Sequence, residues 1–223
     1  MNLNIKKPKN IEEIAEFISS SINRELQNGH SVLWFVSGGS AMQAEIEAAN
    51  KIKEFSPGKL VISLADERYG LVGHSDSNWS NLLKGGLNVR GAKLIPFLMG
   101  KDLSSTTKEI RKVLKEELYK ADYKIGVFGV GLDGHTAGIL PHSRAIYEPE
   151  LVFTHETELF DRITITPKAI EMLDEAILYA MGTIKWSVIE KLKEDISIED
   201  QPVQILKKVP LLTIFSDTNN SQD

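Results

Sequence analysis

The sequence contains no cysteine among its 223 residues. This absence excludes a disulfide framework, a thiolate zinc site and a cysteine nucleophile, and it fits a reducing compartment. An excess of positive charge is also lacking, since 26 Lys and Arg face 31 Asp and Glu and the net charge is −5. We therefore expect no partnership with nucleic acid or an anionic membrane, and any anionic ligand must bind at a local site.

Long apolar runs are missing as well. The longest are far too short to span a bilayer, and residues 1–10 are polar and lack the apolar segment of a secretory leader. The remaining composition, 42% hydrophobic and 26% charged, is that of an ordinary globular protein. We expect a soluble, cytoplasmic protein that is a monomer or a small homo-oligomer.

Helical and strand periodicities alternate along the chain, which predicts an α/β fold with a mostly parallel sheet flanked by helices. Short apolar runs predict strands at residues 32–36, 60–64, 93–98, 123–129, 162–166, 176–180 and 211–215. Helix starts are indicated by the capping pairs Asn10/Glu13 and Thr106/Glu109 and by Thr166-Pro167. We find no repeat or long linker and expect residues 1–223 to form one domain, with a frayed polar tail at residues 218–223.

Three polar segments that contain glycine follow predicted strands: residues 37–40, 66–70 and 129–135. In open parallel sheets, ligands bind beyond the carboxyl ends of the strands. Because these ends lie at one edge of a parallel sheet, we expect the three segments to converge on one site.

The first of these segments is typical of an anion-binding turn. Gly38 and Gly39 let the backbone approach an anion, the following helix offers free N–H groups, and Ser37 and Ser40 add hydroxyl donors. The spacing is neither that of a P-loop nor that of a GxGxxG dinucleotide loop. A tight strand-to-helix turn with a serine cap explains the same residues equally well, so both interpretations stay open here.

The third segment places Asp133 and His135 two residues apart in a glycine-rich turn. A histidine near a helix start has its charged form disfavoured, so His135 is expected to remain a neutral base near neutral pH. Asp133 would orient the imidazole or bind a substrate hydroxyl. For an isolated Asp-Gly-His sequence, a helix cap and a packed histidine would be the commoner outcome.

The second segment combines acids with a guanidinium group that matches phosphate or carboxylate oxygens. A solvated loop with an internal salt bridge is the ordinary alternative. His74 and Asp76 suggest a metal site, but a third ligand at suitable spacing is missing, so we expect no metal. The charged residues of this segment are Asp66, Glu67 and Arg68, and His74, Asp76 and Asn78 follow it.

Together these segments resemble the 6-phosphogluconolactonase branch of the glucosamine-6-phosphate isomerase/6-phosphogluconolactonase family. The resemblance spans nearly the whole chain, in order and at natural spacing. The matching stretches are Ser37-Gly38-Gly39-Ser40, Asp66-Glu67-Arg68, Asp76-Ser77-Asn78, Gly131-Leu132-Asp133-Gly134-His135-Thr136-Ala137 with Leu140-Pro141, Arg162-Ile163-Thr164-Ile165-Thr166, and Gly182 with Lys185.

The resemblance implies a single Rossmann-like domain that hydrolyses 6-phospho-glucono-1,5-lactone to 6-phosphogluconate in the pentose phosphate pathway, without a metal or organic cofactor. By the same resemblance, His135 is the base that activates water, and Asp133 supports it. The positions that resemble substrate- and phosphate-binding residues are Ser37, Gly38, Gly39, Ser40, Asp66, Arg68, Asn78, Arg162 and Lys185.

The sequence departs from the family pattern at three places. Ala41-Met42 replaces a usual Thr-Pro pair, and Tyr69-Gly70-Leu71 is closer to the deaminase branch. Leu140, however, stands in a stretch without the acid that the deaminases carry beyond the histidine. The missing acid favours the lactonase over a glucosamine-6-phosphate deaminase with Asp66 as its base. A non-catalytic sugar-phosphate sensor ranks lower, because no basic helix-turn-helix segment is left over.

Overall fold

The computed structural model describes residues 3–155 and 160–218. The strands are β1 (Asn4–Lys6), β2 (Val32–Val36), β3 (Leu60–Leu64), β4 (Asp66–Arg68), β5 (Lys93–Ile95), β6 (Tyr123–Gly129), β7 (Val152–His155), β8 (Arg162–Ile165), β9 (Glu175–Ala180) and β10 (Leu211–Ser216). The α-helices are α1 (Ile11–Gln27), α2 (Met42–Asn50), α3 (Asn78–Lys84), α4 (Leu103–Lys120), α5 (Pro167–Ile170) and α6 (Trp186–Leu192). Shorter 3₁₀ helices cover Gly39–Ala41, Arg144–Tyr147, Thr183–Lys185 and Pro202–Lys208.

A seven-stranded parallel sheet forms the centre of the fold, in the order β1-β10-β9-β6-β2-β3-β5. Every residue of β2 and β3 is buried, because these strands are covered on both faces and carry almost unbroken apolar runs. The prediction of an α/β fold with a mostly parallel sheet flanked by helices is confirmed.

The order in which strands are added to the parallel sheet changes sides at β2. From β2 the chain moves outward through β3 to β5, and then returns to β6 on the other side of β2 before continuing to β9 and β10. The connections after β2 and β6 therefore leave neighbouring carboxyl ends in opposite directions. This separation opens a crevice at the switch point, where open α/β sheets bind their ligands.

A second, antiparallel sheet of three strands, β4-β8-β7, was not indicated by the sequence. Ala65 joins it to the main sheet, because its N–H donates to Val36 O (2.8 Å) and its carbonyl accepts from Ile165 N–H (2.9 Å). The predicted strand at 162–166 is present as β8, but it pairs with β4, a segment that we expected to be a loop. A polar strand of three residues has too short a pattern to be distinguished from a turn.

Helix starts agree with the sequence only in part. Asn10 caps α1 as predicted, since its Oδ1 accepts from Glu13 N–H at 3.0 Å. The predicted cap at Thr106 is wrong: α4 begins one turn earlier, where Asp102 accepts from Ser105 N–H at 2.9 Å. Thr106 is instead buried within the helix. Asp102, and not Thr106, is therefore the N-cap, because its carboxylate accepts from an N–H group of the first turn.

Other differences concern the ends of the chain and the helix at Thr166. Thr166 precedes α5 as expected, but its hydroxyl donates to Glu150 O rather than capping the helix. Thr218 is buried, so the expected fraying is wrong at that residue, and residues 219–223 lie outside the described part. Within the described residues, no helix has the length and apolar character needed to cross a membrane.

The cap of α1 gives a stability prediction. Asn10→Ala removes the side chain that accepts from Glu13 N–H, so we expect the free energy of unfolding to fall by about 1 kcal/mol. Urea denaturation followed by circular dichroism measures the change. Asn88→Ala, at an exposed loop position, is the matched control and should change stability by less than about 0.5 kcal/mol. Equal effects of the two variants would contradict the capping role.

Candidate active-site cleft at the switch point

A cleft of about 260 Å³ opens beyond the carboxyl ends of β2 and β6. The three segments that the sequence placed at strand ends converge here, and ten of the eleven predicted site residues line the cleft. The lining residues are Ser37, Gly38, Gly39, Ser40, Asp66, Arg68, Asn78, Gly129, Val130, His135, Ala137, Arg162 and Lys185. The eleventh predicted residue, Asp133, lies behind His135 and contacts its ring.

The glycine loop, residues 37–40, forms one wall of the cleft. Gly38 lies so close to α3 that a Cβ atom there would be 2.0 Å from Asn78 Oδ1. Only glycine, which has no Cβ, fits here without displacing the Asn78 side chain. The 3₁₀ turn at Gly39–Ala41 then leads into α2. N–H groups at such a start have no helical acceptor, so they are available to an anion in the cleft.

Ser37 differs from the rest of this loop. Its N–H and its hydroxyl both donate to Glu45 Oε1, at 2.7 and 3.2 Å. Both donors therefore point away from the cleft toward α2. Ser37 lines the cleft as predicted, but its polar hydrogens are already used.

The strand β4 supplies the opposite wall. Glu67 is buried and accepts four hydrogen bonds, which tie β4 to the start of α3. The donors are Arg68 N–H, Asn78 N–H, Trp79 N–H and the Ser77 hydroxyl. Asn78 in turn donates to Asp66 O at 3.0 Å. These bonds fix the direction of Asp66 and Arg68, which flank Glu67.

Three cationic side chains reach the cleft from different elements. Arg162 Nη1 lies 3.5 Å from Asp66 Oδ2, Arg68 donates to Asp76 O at 2.9 Å, and Lys185 Nζ donates to Ser40 Oγ at 3.0 Å. The Nε atoms of both arginines are buried, and no described residue accepts from them. The site thus concentrates positive charge in a chain whose net charge is −5.

Burial changes the acid–base properties of this wall. It raises the pKa of Asp66, although the charges of Arg162 and Arg68 act to lower it. Burial also lowers the pKa of Lys185. Both shifts reflect poor access of water, and an anion bound beside Lys185 would favour its charged form.

His135 lies on the turn that follows β6. Its Nδ1 is 2.6 Å from Asp133 Oδ1, which also accepts from His135 N–H at 3.1 Å. Although partial burial acts to raise it, the pKa of Asp133 is lowered overall by these hydrogen bonds and by the charge of His135. An ionised Asp133 requires the hydrogen on Nδ1, which leaves Nε2 of a neutral ring as an acceptor.

The prediction that His135 lies near a helix start is wrong, and so is the alternative that Asp133 caps a helix. Residues 130–143 form successive turns. Gly134 and Ala137 have left-handed backbones (φ 84° and 47°), which no α-helix accommodates. The tautomer of a neutral imidazole is therefore selected by Asp133, and a helix dipole has no part in it. Gly131 permits this pair, since a Cβ there would lie 2.1 Å from His135 Nδ1.

Two residues near the cleft were missed or reassigned. Glu45 is fully buried below the glycine loop, and its position on the apolar face of α2, three residues after Met42, was the available signal. His74, considered as a metal ligand, has its Nε2 3.0 Å from Arg68 O. No group of three or more potential metal-ligating side chains occurs among residues 3–155 and 160–218.

A sequence model of the family described as Glucosamine-6-phosphate isomerases/6-phosphogluconolactonase matches residues 6–213. The chain belongs to this family. A 6-phosphogluconolactonase from Helicobacter pylori strain J99 is 29% identical over 193 residues, which cover 83% of this chain and 81% of the relative. A glucosamine-6-phosphate deaminase from Lactobacillus helveticus is 24% identical over 221 residues, covering 89% and 88% of the two chains.

The fold of the family is shared as well. The crystal structure of a 6-phosphogluconolactonase from Shewanella baltica superposes with a TM-score of 0.82 at 22% identity, over 96% of this chain and 98% of that one. Members of the glucosamine-6-phosphate isomerase/6-phosphogluconolactonase family therefore carry two enzyme names on one fold. The choice between the two reactions rests on the residues of the cleft.

The contact between the glycine loop and α3 gives a second prediction. Gly38→Ala must push the Asn78 side chain aside, and we expect a loss of about 1–3 kcal/mol in the free energy of unfolding. Asn78→Ala in the same protein should recover part of that loss, so the two changes should be non-additive in a denaturation double-mutant cycle. Gly129→Ala, whose Cβ meets nothing within 4 Å, is the control. Additive losses would show that the two residues do not limit each other.

Proposed function

We propose that the chain, working as one α/β domain, hydrolyses 6-phospho-glucono-1,5-lactone to 6-phosphogluconate. The observation that carries this proposal is the oriented His135–Asp133 pair in a cleft that also holds three cationic side chains and a glycine loop. An anionic sugar with a reactive ester needs these two kinds of group at its two ends. The Helicobacter pylori relative bears the lactonase name, which supports the proposal.

The phosphate binds, in this proposal, at the glycine loop. Lys185 and Ser40 are already in contact at 3.0 Å, so an ammonium, a hydroxyl and the N–H groups of the 3₁₀ turn surround one position. A charge-assisted bond between Lys185 and phosphate would replace solvation that the half-buried ammonium has lost. Arg68 and Arg162, beside Asp66, then face the rest of the sugar.

The chemical step uses His135 as a general base. Nε2 removes a proton from water as the water oxygen attacks the lactone carbonyl carbon, and Asp133 stabilises the imidazolium that forms. The bond from the carbonyl carbon to the ring oxygen then breaks, and the imidazolium returns the proton to that oxygen. The products are a carboxylic acid, which releases its proton to solvent and becomes the carboxylate, and a free hydroxyl on the same sugar chain. The positive charge of the cleft favours the developing oxyanion.

A glucosamine-6-phosphate deaminase is the second candidate. Asp66 lines the cleft and has a raised pKa, as a proton-abstracting base would, and the Lactobacillus helveticus relative bears the deaminase name. The turn after His135 carries Leu140 and Pro141 and no acid to assist ring opening. Parallel assays with freshly made lactone and with glucosamine 6-phosphate separate the candidates, and release of ammonia and fructose 6-phosphate would favour the second.

His135→Ala removes the proposed base. We expect kcat for the phosphorylated lactone to fall by about 10²- to 10⁴-fold. The product 6-phosphogluconate should still bind, because the proposed phosphate-binding residues of the cleft remain. The assay couples product to a dehydrogenase and subtracts spontaneous hydrolysis. His30→Ala, at the amino end of β2, is the matched control and should keep full turnover. Unchanged turnover of His135→Ala would remove this residue from the reaction.

Lys185→Met tests the phosphate end. We expect KM for the phosphorylated lactone to rise by about 10- to 100-fold, since a charged hydrogen bond to the ligand is lost. KM for the unphosphorylated lactone should hardly change. Lys191→Met makes the same charge change at an exposed position outside the cleft lining. Equal rises for both lactones would show that Lys185 does not recognise phosphate.

A further inference from the structure

Glu45 has no part in the mechanism above, yet it lies directly under the glycine loop. It belongs to α2, and its side chain has no exposed surface. Its Oε1 accepts both polar hydrogens of Ser37, from N–H at 2.7 Å and from the hydroxyl at 3.2 Å. Burying a carboxyl group here costs free energy that an apolar side chain would not cost. This cost points to a role for its oxygen atoms.

The surroundings of Glu45 do not suit a negative charge. Its Oε2 is buried and receives no hydrogen bond from the described residues. Ser37, at the end of β2, offers only uncharged donors, and the described charged group that acts on Glu45 is Asp66 on β4, which is itself acidic. Burial raises the pKa of Glu45 well above its ordinary value, and Asp66 adds to the effect. A neutral carboxylic acid fits these contacts, because its carbonyl oxygen accepts the two bonds and its other oxygen keeps the proton.

We propose that Glu45 is a positioning residue that acts as an uncharged acid: it holds the Ser37 peptide inward so that the following N–H groups of the glycine loop face the ligand phosphate. The proposal rests on the proposed function only in taking phosphate as the group bound at this loop. Glu45 itself does not touch the ligand.

The backbone explains how the effect passes to the ligand. Gly38 is extended (φ −98°, ψ −174°), and in an extended segment successive peptide groups point to opposite sides. The N–H groups of Gly38 and Gly39 therefore point to opposite sides, so that one of them faces the cleft, and the Ser37 peptide held toward α2 anchors this segment just before the 3₁₀ turn begins. A full negative charge on Glu45 would oppose an incoming phosphate through a medium of low dielectric constant. The neutral acid provides the acceptor without that repulsion.

The test compares Glu45→Gln, which keeps a neutral carbonyl acceptor of the same shape, with Glu45→Leu, which removes the acceptor at similar volume. Binding of 6-phosphogluconate and of inorganic phosphate is measured by calorimetry near neutral pH. We expect Glu45→Gln to bind within about threefold of the parent chain, and Glu45→Leu to bind at least about tenfold more weakly, as for a buried donor left unpaired. Glu47→Gln, at a partly exposed position of the same helix, controls for the loss of one acidic group.

Infrared spectroscopy gives a second measurement that a merely structural role would not affect. The difference spectrum between the parent chain and Glu45→Gln at neutral pH should contain the carbonyl band of a protonated carboxylic acid, and the Glu47→Gln difference should not. A carboxylate band lost in Glu45→Gln would overturn the proposal, and so would phosphate affinity in Glu45→Leu equal to that of the parent chain. If Glu45→Leu fails to fold, Glu45→Gln and its spectrum still decide. None of these measurements needs lactone turnover, so they remain separate from the test of His135.

Discussion

The cleft depends on the two hydrogen bonds of Ala65. Its N–H continues the ladder of the parallel sheet at Val36, and its carbonyl begins the antiparallel sheet at Ile165. Between these bonds the chain changes partners, so Asp66, the next residue, leaves the main sheet at the switch point and enters the cleft. Arg68 and Arg162 are paired in register between β4 and β8, and without this change of partner they would not line the same cleft.

Three acids in or beside the cleft differ in their surroundings, and the differences affect their charge. Asp133 is half exposed and bonded to a histidine, which favours its ionised form. Asp66 is buried but faces two arginines, so its charge is partly offset. Glu45 is buried with only serine donors, which favours the neutral form. Burial and neighbouring charge alone thus give three similar carboxyl groups different tendencies to ionise.

The sequence was sufficient to predict the site where local rules apply. The glycine loop and the Asp133–His135 turn follow buried strands, and the carboxyl ends of parallel strands must meet, so their convergence was predictable. The second sheet was not, because β4 has three polar residues and its partner lies about a hundred residues away. The expected helix after His135 also failed: Ala137 has a left-handed backbone, and the next residue, Gly138, donates its N–H to Thr164 Oγ1, a contact that no local pattern shows. Glu45 was overlooked because an isolated acid on a helix is usually a surface residue.

The contact between Lys185 and Ser40 joins residues 145 positions apart. Long-range contacts of this kind form late, since the entropy of closing a large loop must be overcome first. During translation, the amino-terminal strands can emerge and pair before the last part of the cleft has been made. Ligand affinity should therefore be among the last properties that the nascent chain acquires, and binding of a sugar phosphate would report completion of folding rather than the presence of the central sheet.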